Sequence, residues 1–130
     1  MPPITFDKLK LLVVEKDKAR EDDAELQFSG GRISIFGPDK KLIGSVPYAT
    51  IRAVSSSRSK QPRWRDPNGT VTEAKLSTGA FGFIKSERNW VGLVTPKATY
   101  VFRVDDDRLQ KLNQTAVQRT GAALVRLANK

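Results

Sequence analysis

The stretch ATYVFRVDDDRLQKLNQTAVQRTGAALVRL, residues 98–127, contains the change of rhythm that decides the fold. Up to Val104 apolar residues recur at every second position, the period of a β-strand. After Asp105 they recur about every 3.6 residues, the period of a helix. Leu109, Leu112, Ala116, Ala123, Leu124 and Leu127 then fall near one face. Asp105, Asp106 and Asp107 open the segment, where carboxylates cap a helix start or favour its positive end. They are read as helix-starting residues rather than a metal site, because adjacent carboxylates do not converge on one ion. Gly121 costs about 1 kcal/mol against alanine in a helix interior, which points to close packing against a sheet or to a bend. The expectation is one amphipathic C-terminal helix over about 105–128.

Upstream of that point the chain reads as strands and turns. Leu9–Glu15 is apolar and β-branched, a strand. Ala24–Ser29 and Arg32–Phe36 alternate on either side of Gly30-Gly31, a hairpin whose glycines accept positive φ. Gly37-Pro38-Asp39 is a turn, Lys41–Val46 a short strand, and Pro47 ends its ladder because proline has no amide hydrogen. Tyr48–Ser57 reads as another strand. Residues 58–70 hold two prolines and Asn68-Gly69 and read as a long loop. Val71–Ser77 and Ala80–Lys85 read as strands joined through a bulge at Thr78-Gly79. Trp90–Val94 and Ala98–Val104 form a hairpin across Thr95-Pro96-Lys97. Strands followed by one helix predict a mainly β domain: about seven antiparallel strands over 9–104, as a small barrel or curved double sheet, with the helix closing one end. The 130 residues fit a single domain with a real core.

The segment GAFGFIKS, residues 79–86, has the look of an RNA-recognition strand. Gly79, Ala80 and Ser86 depart from that pattern, and nothing upstream has the helical periodicity such a domain requires. Phe81 and Phe83 share one face of a strand, and burial of each is worth about 2–3 kcal/mol, so they are read as core.

The chain has no Cys and no His. That removes thiol nucleophiles, disulfides, thiolate metal sites and the commonest general base. Ser55–Ser57 and Thr115 offer hydroxyls without a recognisable base, so no enzyme activity, cofactor or metal is expected. No apolar run approaches the ~20 residues of a membrane-spanning helix. The start MPPITFDKLK lacks a basic stretch followed by an apolar one, so no signal peptide is expected. The expected location is cytoplasmic, including the periphery of a membrane.

Net charge is +9, and it is unevenly distributed. Residues 1–30 carry five basic and seven acidic side chains, whereas residues 31–65 carry eight basic and one acidic. A local positive field attracts nucleic acid, anionic lipid or an acidic protein. Its densest part is Arg58-Ser59-Lys60-Gln61-Pro62-Arg63-Trp64-Arg65, four cations with no acid until Asp66. Arginines bind phosphate or carboxylate through paired donors, and Trp64 offers a flat apolar surface. Lys85 and Arg88 extend this patch if their strands pair as read. The structural alternative tucks Trp64 over the rim of the sheet with Arg63 or Arg65 on its ring.

Three stretches carry a family resemblance. Ser45-Val46-Pro47-Tyr48-Ala49-Thr50-Ile51 resembles an I-P-Y-x-x-I segment between third and fourth strands. Arg88-Asn89-Trp90-Val91-Gly92-Leu93 resembles an R-x-W-hydrophobic strand six, and Arg119-Thr120-Gly121 an R-T-G near the end of a helix. In this order, over residues 24–127, they resemble the bacterial pleckstrin-homology-like family. The helix lacks the tryptophan typical of the eukaryotic members. The resemblance implies a non-catalytic binding or adaptor domain, with a protein or peptide partner docked at a sheet edge or beside the helix. The alternative it implies is an anionic membrane surface, bound through residues 58–65. The family's phosphoinositide signature is matched by Lys16 and Lys18-Ala19-Arg20, but Asp17, Glu21, Asp22, Asp23 and Glu25 oppose an anion there. Nucleic acid ranks third, since the sheet displays no aromatic face.

Overall fold

Phe6 and Leu9 are three residues apart, a spacing that a regular strand cannot place on one face. In the computed structural model, which describes residues 2–15, 18–76 and 86–127, both are buried. They lie on β1 (Ile4–Glu15), whose pairing with β2 (Lys18–Ser29) slips between Phe6 and Leu9, where Lys8 takes φ 56°. The extra residue of this bulge turns both apolar side chains inward. Gly30 (φ 61°) and Gly31 (φ 75°) make the two-residue turn into β3 (Arg32–Phe36), as the sequence predicts. β4 (Leu42–Pro47) follows antiparallel to β3.

The second half of the sheet comprises β5 (Ala53–Ser59), β9 (Arg88–Val94) and β10 (Thr99–Val104). Between β5 and β9 lie a hairpin of β6 (Arg63–Arg65) and β7 (Val71–Glu73), and the short β8 (Lys75–Leu76). The helix α1 spans Asp106–Thr120, and a last strand, β11, spans Ala123–Arg126. The main sheet runs β11-β5-β9-β10-β1-β2-β3-β4, with β8 beside β2. It is curved and does not close into a barrel, so β4 and β11 are its two ends.

Side chains on the concave face form the main core: Phe28, Ile33, Ile35, Val54, Leu93 and Phe102 among them, with Leu112 and Ala116 of α1. Phe6 meets Phe28 edge to face at 5.8 Å, the geometry aromatic quadrupoles prefer. β9 is buried at six of its seven positions, because its outer face is covered as well. There Trp90 joins Leu12, Ala19, Trp64, Ala74, Leu76 and Val101 in a second apolar cluster.

Four sequence expectations change. Eleven strands are formed among the described residues rather than about seven: part of the stretch read as a loop over 58–70 folds into β6, the strand read at 71–77 divides into β7 and β8, and β11 forms from residues read as helix. Tyr48–Thr50 is a helical turn, held by the Thr50 hydroxyl donating to the Pro47 carbonyl at 2.8 Å, and β5 begins only at Ala53. The helix ends at Thr120, not near 128. Gly121 adopts φ 74° and its N–H donates to the Val117 carbonyl at 2.9 Å, a left-handed stop that glycine makes without Cβ strain. Residues 123–126 then pair parallel with β5. Asp105 occupies the N-cap position without a side-chain capping bond, so the aspartates act through charge. Phe81 and Phe83 lie outside the described residues.

Candidate functional site

The basic stretch 58–65 does not form one exposed patch. Trp64 is 6% exposed, and its indole N–H donates to the Asp66 carboxylate at 2.9 Å. The other oxygen of Asp66 accepts the Thr72 hydroxyl, which fastens β6 to β7. The hairpin is laced onto the sheet by Ser57, whose hydroxyl donates to the Arg63 carbonyl at 3.0 Å, and by Thr99, which donates to the Arg65 carbonyl at 2.6 Å. Gly92 makes this approach possible. A Cβ there would lie 2.5 Å from Ser55 Oγ and 2.9 Å from Thr99 Cγ2.

The cations diverge. Arg58 pairs in register with Asn89 and Ser59 with Arg88, so the two arginines project to opposite faces of the sheet. Arg58 donates to the Asn89 side-chain carbonyl at 2.8 Å and to Asp106 at 3.1 Å. Asn89, buried, also donates to Asp106 at 2.6 Å and to the Val104 carbonyl at 3.0 Å, joining β5, β10 and the start of α1. The Asn89 amide and the Arg58 guanidinium hold the Asp106 carboxyl below the usual carboxylate range. Arg88 lies 3.5 Å from Glu21, whose other oxygen is 3.2 Å from Arg103. Arg63 stands across from Glu73 in the hairpin register, and Arg65 folds over the turn at Gly69. Lys60 stays exposed, and Lys85 lies outside the described residues. Arg58, Arg88 and Arg103 do reach one small cavity of about 170 Å³, but Glu87, Asp105 and Asp106 line it too and balance its charge.

The lysine–basic–arginine signature places Lys18 and Arg20 on the exposed surface, among acids. Arg20 donates to Glu15 at 2.9 Å and lies 3.6 Å from Asp22, and Ala19 is buried in the second cluster. Lys16 lies outside the described residues.

A groove that the sequence reading did not anticipate lies between α1 and β11, with a volume of about 540 Å³. Leu109, Asn113 and Val117, each four apart on the helix, form one wall with Leu124 of β11. Gln110, Gln114 and Gln118 lie exposed one residue further round, and the exposed Asp106 and Arg126 complete the lining. β11 ends the sheet, so its outer backbone edge pairs with no described strand. The groove exists only because the chain turns at Gly121 and returns along β5. The signals were present in the sequence: a glycine directly after Thr120, and glutamines at helical spacing beside a row whose middle member is polar.

The larger depression beside the β1 bulge, about 650 Å³, mixes four bases, among them Lys8, Lys40 and Arg103, with five acids, among them Asp7, Glu25 and Asp105. It favours neither anion nor cation. Among the described residues no group of three carboxylates is placed to hold a metal ion, and no helix is long and apolar enough to cross a membrane. The fold and the groove define a class: a mainly β domain with one helix and an open sheet edge beside it. Neither models of known protein families nor curated proteins match the chain.

Proposed function

We propose that this chain is a non-catalytic binding module of pleckstrin-homology-like architecture that docks a protein partner or peptide along α1 and β11. The sheet order β4-β3-β2-β1-β10-β9-β5, with one helix after β10, supports the architecture. The observation that carries the function is the groove itself: Leu109, Val117 and Leu124 around Asn113, beside a strand edge that no described strand pairs, the setting in which an extended segment gains both apolar burial and main-chain hydrogen bonds. Peptides selected from a random display library on the intact chain provide the test. Val117→Glu, which places a charge on the floor, is expected to weaken the selected peptides at least about tenfold while the protein stays folded. Equal binding to both proteins contradicts the reading.

A second reading, attachment to anionic lipid, is favoured by the β3–β4 tip rather than by residues 58–65. Leu42 and Ile43 are 56% and 50% exposed, directly after the exposed Lys40 and Lys41. Paired cations beside exposed aliphatics suit an anionic interface. In sedimentation with phosphatidylserine vesicles, Lys40→Glu/Lys41→Glu is expected to abolish binding and Arg63→Glu/Arg65→Glu to leave most of it. The reverse pattern returns the lipid site to the hairpin.

A further inference from the structure

The main sheet has two ends, and they are finished differently. At one end β4 carries the features that keep a free edge from pairing. Its register with β3 skips Ile43, a bulge. Its last residue, Pro47, has no amide hydrogen, and Lys40 and Lys41 precede it. At the other end β11 has none of the three. Its register with β5 runs unbroken from Ala123 to Arg126, and Arg126 is its one charged residue.

One bond fixes the direction of the β11 backbone groups. The Leu127 N–H donates to the Ser56 carbonyl at 2.8 Å. In an extended strand the N–H and C=O of one residue point the same way, and those of the next residue the other way. Ala123 and Val125 therefore face β5 as Leu127 does, and Leu124 and Arg126 turn both groups outward. Such an edge is complementary to itself. A two-fold axis through Val125 sets Leu124 of each copy opposite Arg126 of the other, two hydrogen-bonded pairs with four main-chain bonds. The electrostatics favour the same face. The chain carries +9, so copies repel one another as wholes. Beside β11 the exposed charges cancel, with Asp106 and Asp107 against Lys111 and Arg126. Arg108 and Arg119 of the same helix are engaged by Asp7 and by the Pro2 carbonyl. A face of mixed sign selects neither an acidic nor a basic segment, whereas a second copy brings the same balance with it.

We infer that a second copy of this chain occupies the edge: β11 pairs antiparallel with β11 about Val125 in a weak symmetric dimer, and a peptide entering the groove displaces the copy. The pairing goes beyond the peptide-binding reading and does not depend on it. The competition with a peptide rests on that reading.

Sedimentation equilibrium of the intact chain at concentrations up to about 1 mM is expected to show monomer and dimer and nothing larger, because an isologous joint closes on itself. Arg126→Pro removes one outward N–H from each copy and no bond to β5. It is expected to weaken the dimer at least about tenfold and to melt close to wild type. Leu42→Glu, at the guarded end, is expected to leave the dimer unchanged. Amide hydrogen exchange reads the same joint without a substitution. The Leu124 and Arg126 amides are expected to exchange more slowly as concentration rises, while those of Val125 and Leu127, already turned to β5, keep their rates. A peptide selected on the chain is expected to return the protein to monomer. A chain that is monomeric throughout, or a dimer that Arg126→Pro leaves intact, refutes the pairing while the groove reading stands. Slowing that is equal at all four amides refutes the register. A dimer that Leu42→Glu dissolves moves the contact to β4 and overturns the inference. Peptides that bind without dissociating the dimer refute the competition. Peptides that bind Val117→Glu as well as wild type refute the groove reading and leave the dimer untouched.

Discussion

Trp64→Ala is expected to lower the stability of the folded chain by about 3–5 kcal/mol, the cost of truncating a large buried aromatic side chain. The ring is 6% exposed in the second apolar cluster, against Leu12, Ala19, Trp90 and Val101 on the convex face. Its loss leaves a void beneath the β6–β7 hairpin. It also strips the Asp66 carboxylate of one of its two donors. Hydrogen bonds from Ser57 and Thr99 to the hairpin backbone are too few to hold it down alone, at about 1 kcal/mol each. Lys60→Ala, on the same stretch but exposed, is expected to stay within about 0.5 kcal/mol of wild type. Denaturant unfolding of both variants provides the measurement. A loss below about 1 kcal/mol for Trp64→Ala would mean that the indole is displayed to a partner rather than packed.

Gly92→Ala is expected to cost about 2–3 kcal/mol, a large effect for one methyl group. Both neighbours it meets are on adjacent strands, at 2.5 Å and 2.9 Å from the added carbon, so the change prises β9 from β5 and β10. The partner substitution has the opposite sign. Ser55 Oγ is buried without a hydrogen-bond partner, so Ser55→Ala alone is expected to be neutral or slightly stabilising. Combined, the two should cost less than Gly92→Ala by itself, because the nearer clash is gone. Thermal melts of the three variants report this directly. A neutral Gly92→Ala would mean that Ser55, Gly92 and Thr99 do not crowd together as described.

What was legible in the sequence followed from local periodicity. The hairpin at Gly30-Gly31, the alternation of Leu26 and Phe28, and the start of the helix after Asp105 needed no tertiary information, because strand and helix repeats differ and glycines mark the turn. The end of the helix is not legible in local periodicity. Ala123, Leu124 and Leu127 continue a helical stripe on paper, and only the left-handed residue at Gly121 breaks it. Once broken, the same residues satisfy a strand, since β5 offers a free edge at Ala53–Ser56. The groove is therefore invisible in the sequence, because one of its walls continues the helical stripe.

The basic stretch was legible as charge but not as geometry. Adjacent arginines alternate faces in a strand, and pairing with β9 sends Arg58 toward Asp106 and Arg88 toward Glu21. Those partners are 48 and 67 residues away in the chain, so no local pattern could announce them. Asn113 is hidden in the sequence for a related reason. In an amphipathic helix an asparagine beside three glutamines reads as part of the polar side, and only its burial separates it from them.

The most direct measurement is a nitrogen–proton NMR titration of the labelled chain with a peptide selected on it. The account predicts shifts concentrated at Leu109–Gln118 and Ala123–Arg126, with the side-chain amide of Asn113 among the largest. Shifts confined to the 58–65 hairpin or to the β3–β4 tip, with α1 and β11 unmoved, would contradict it.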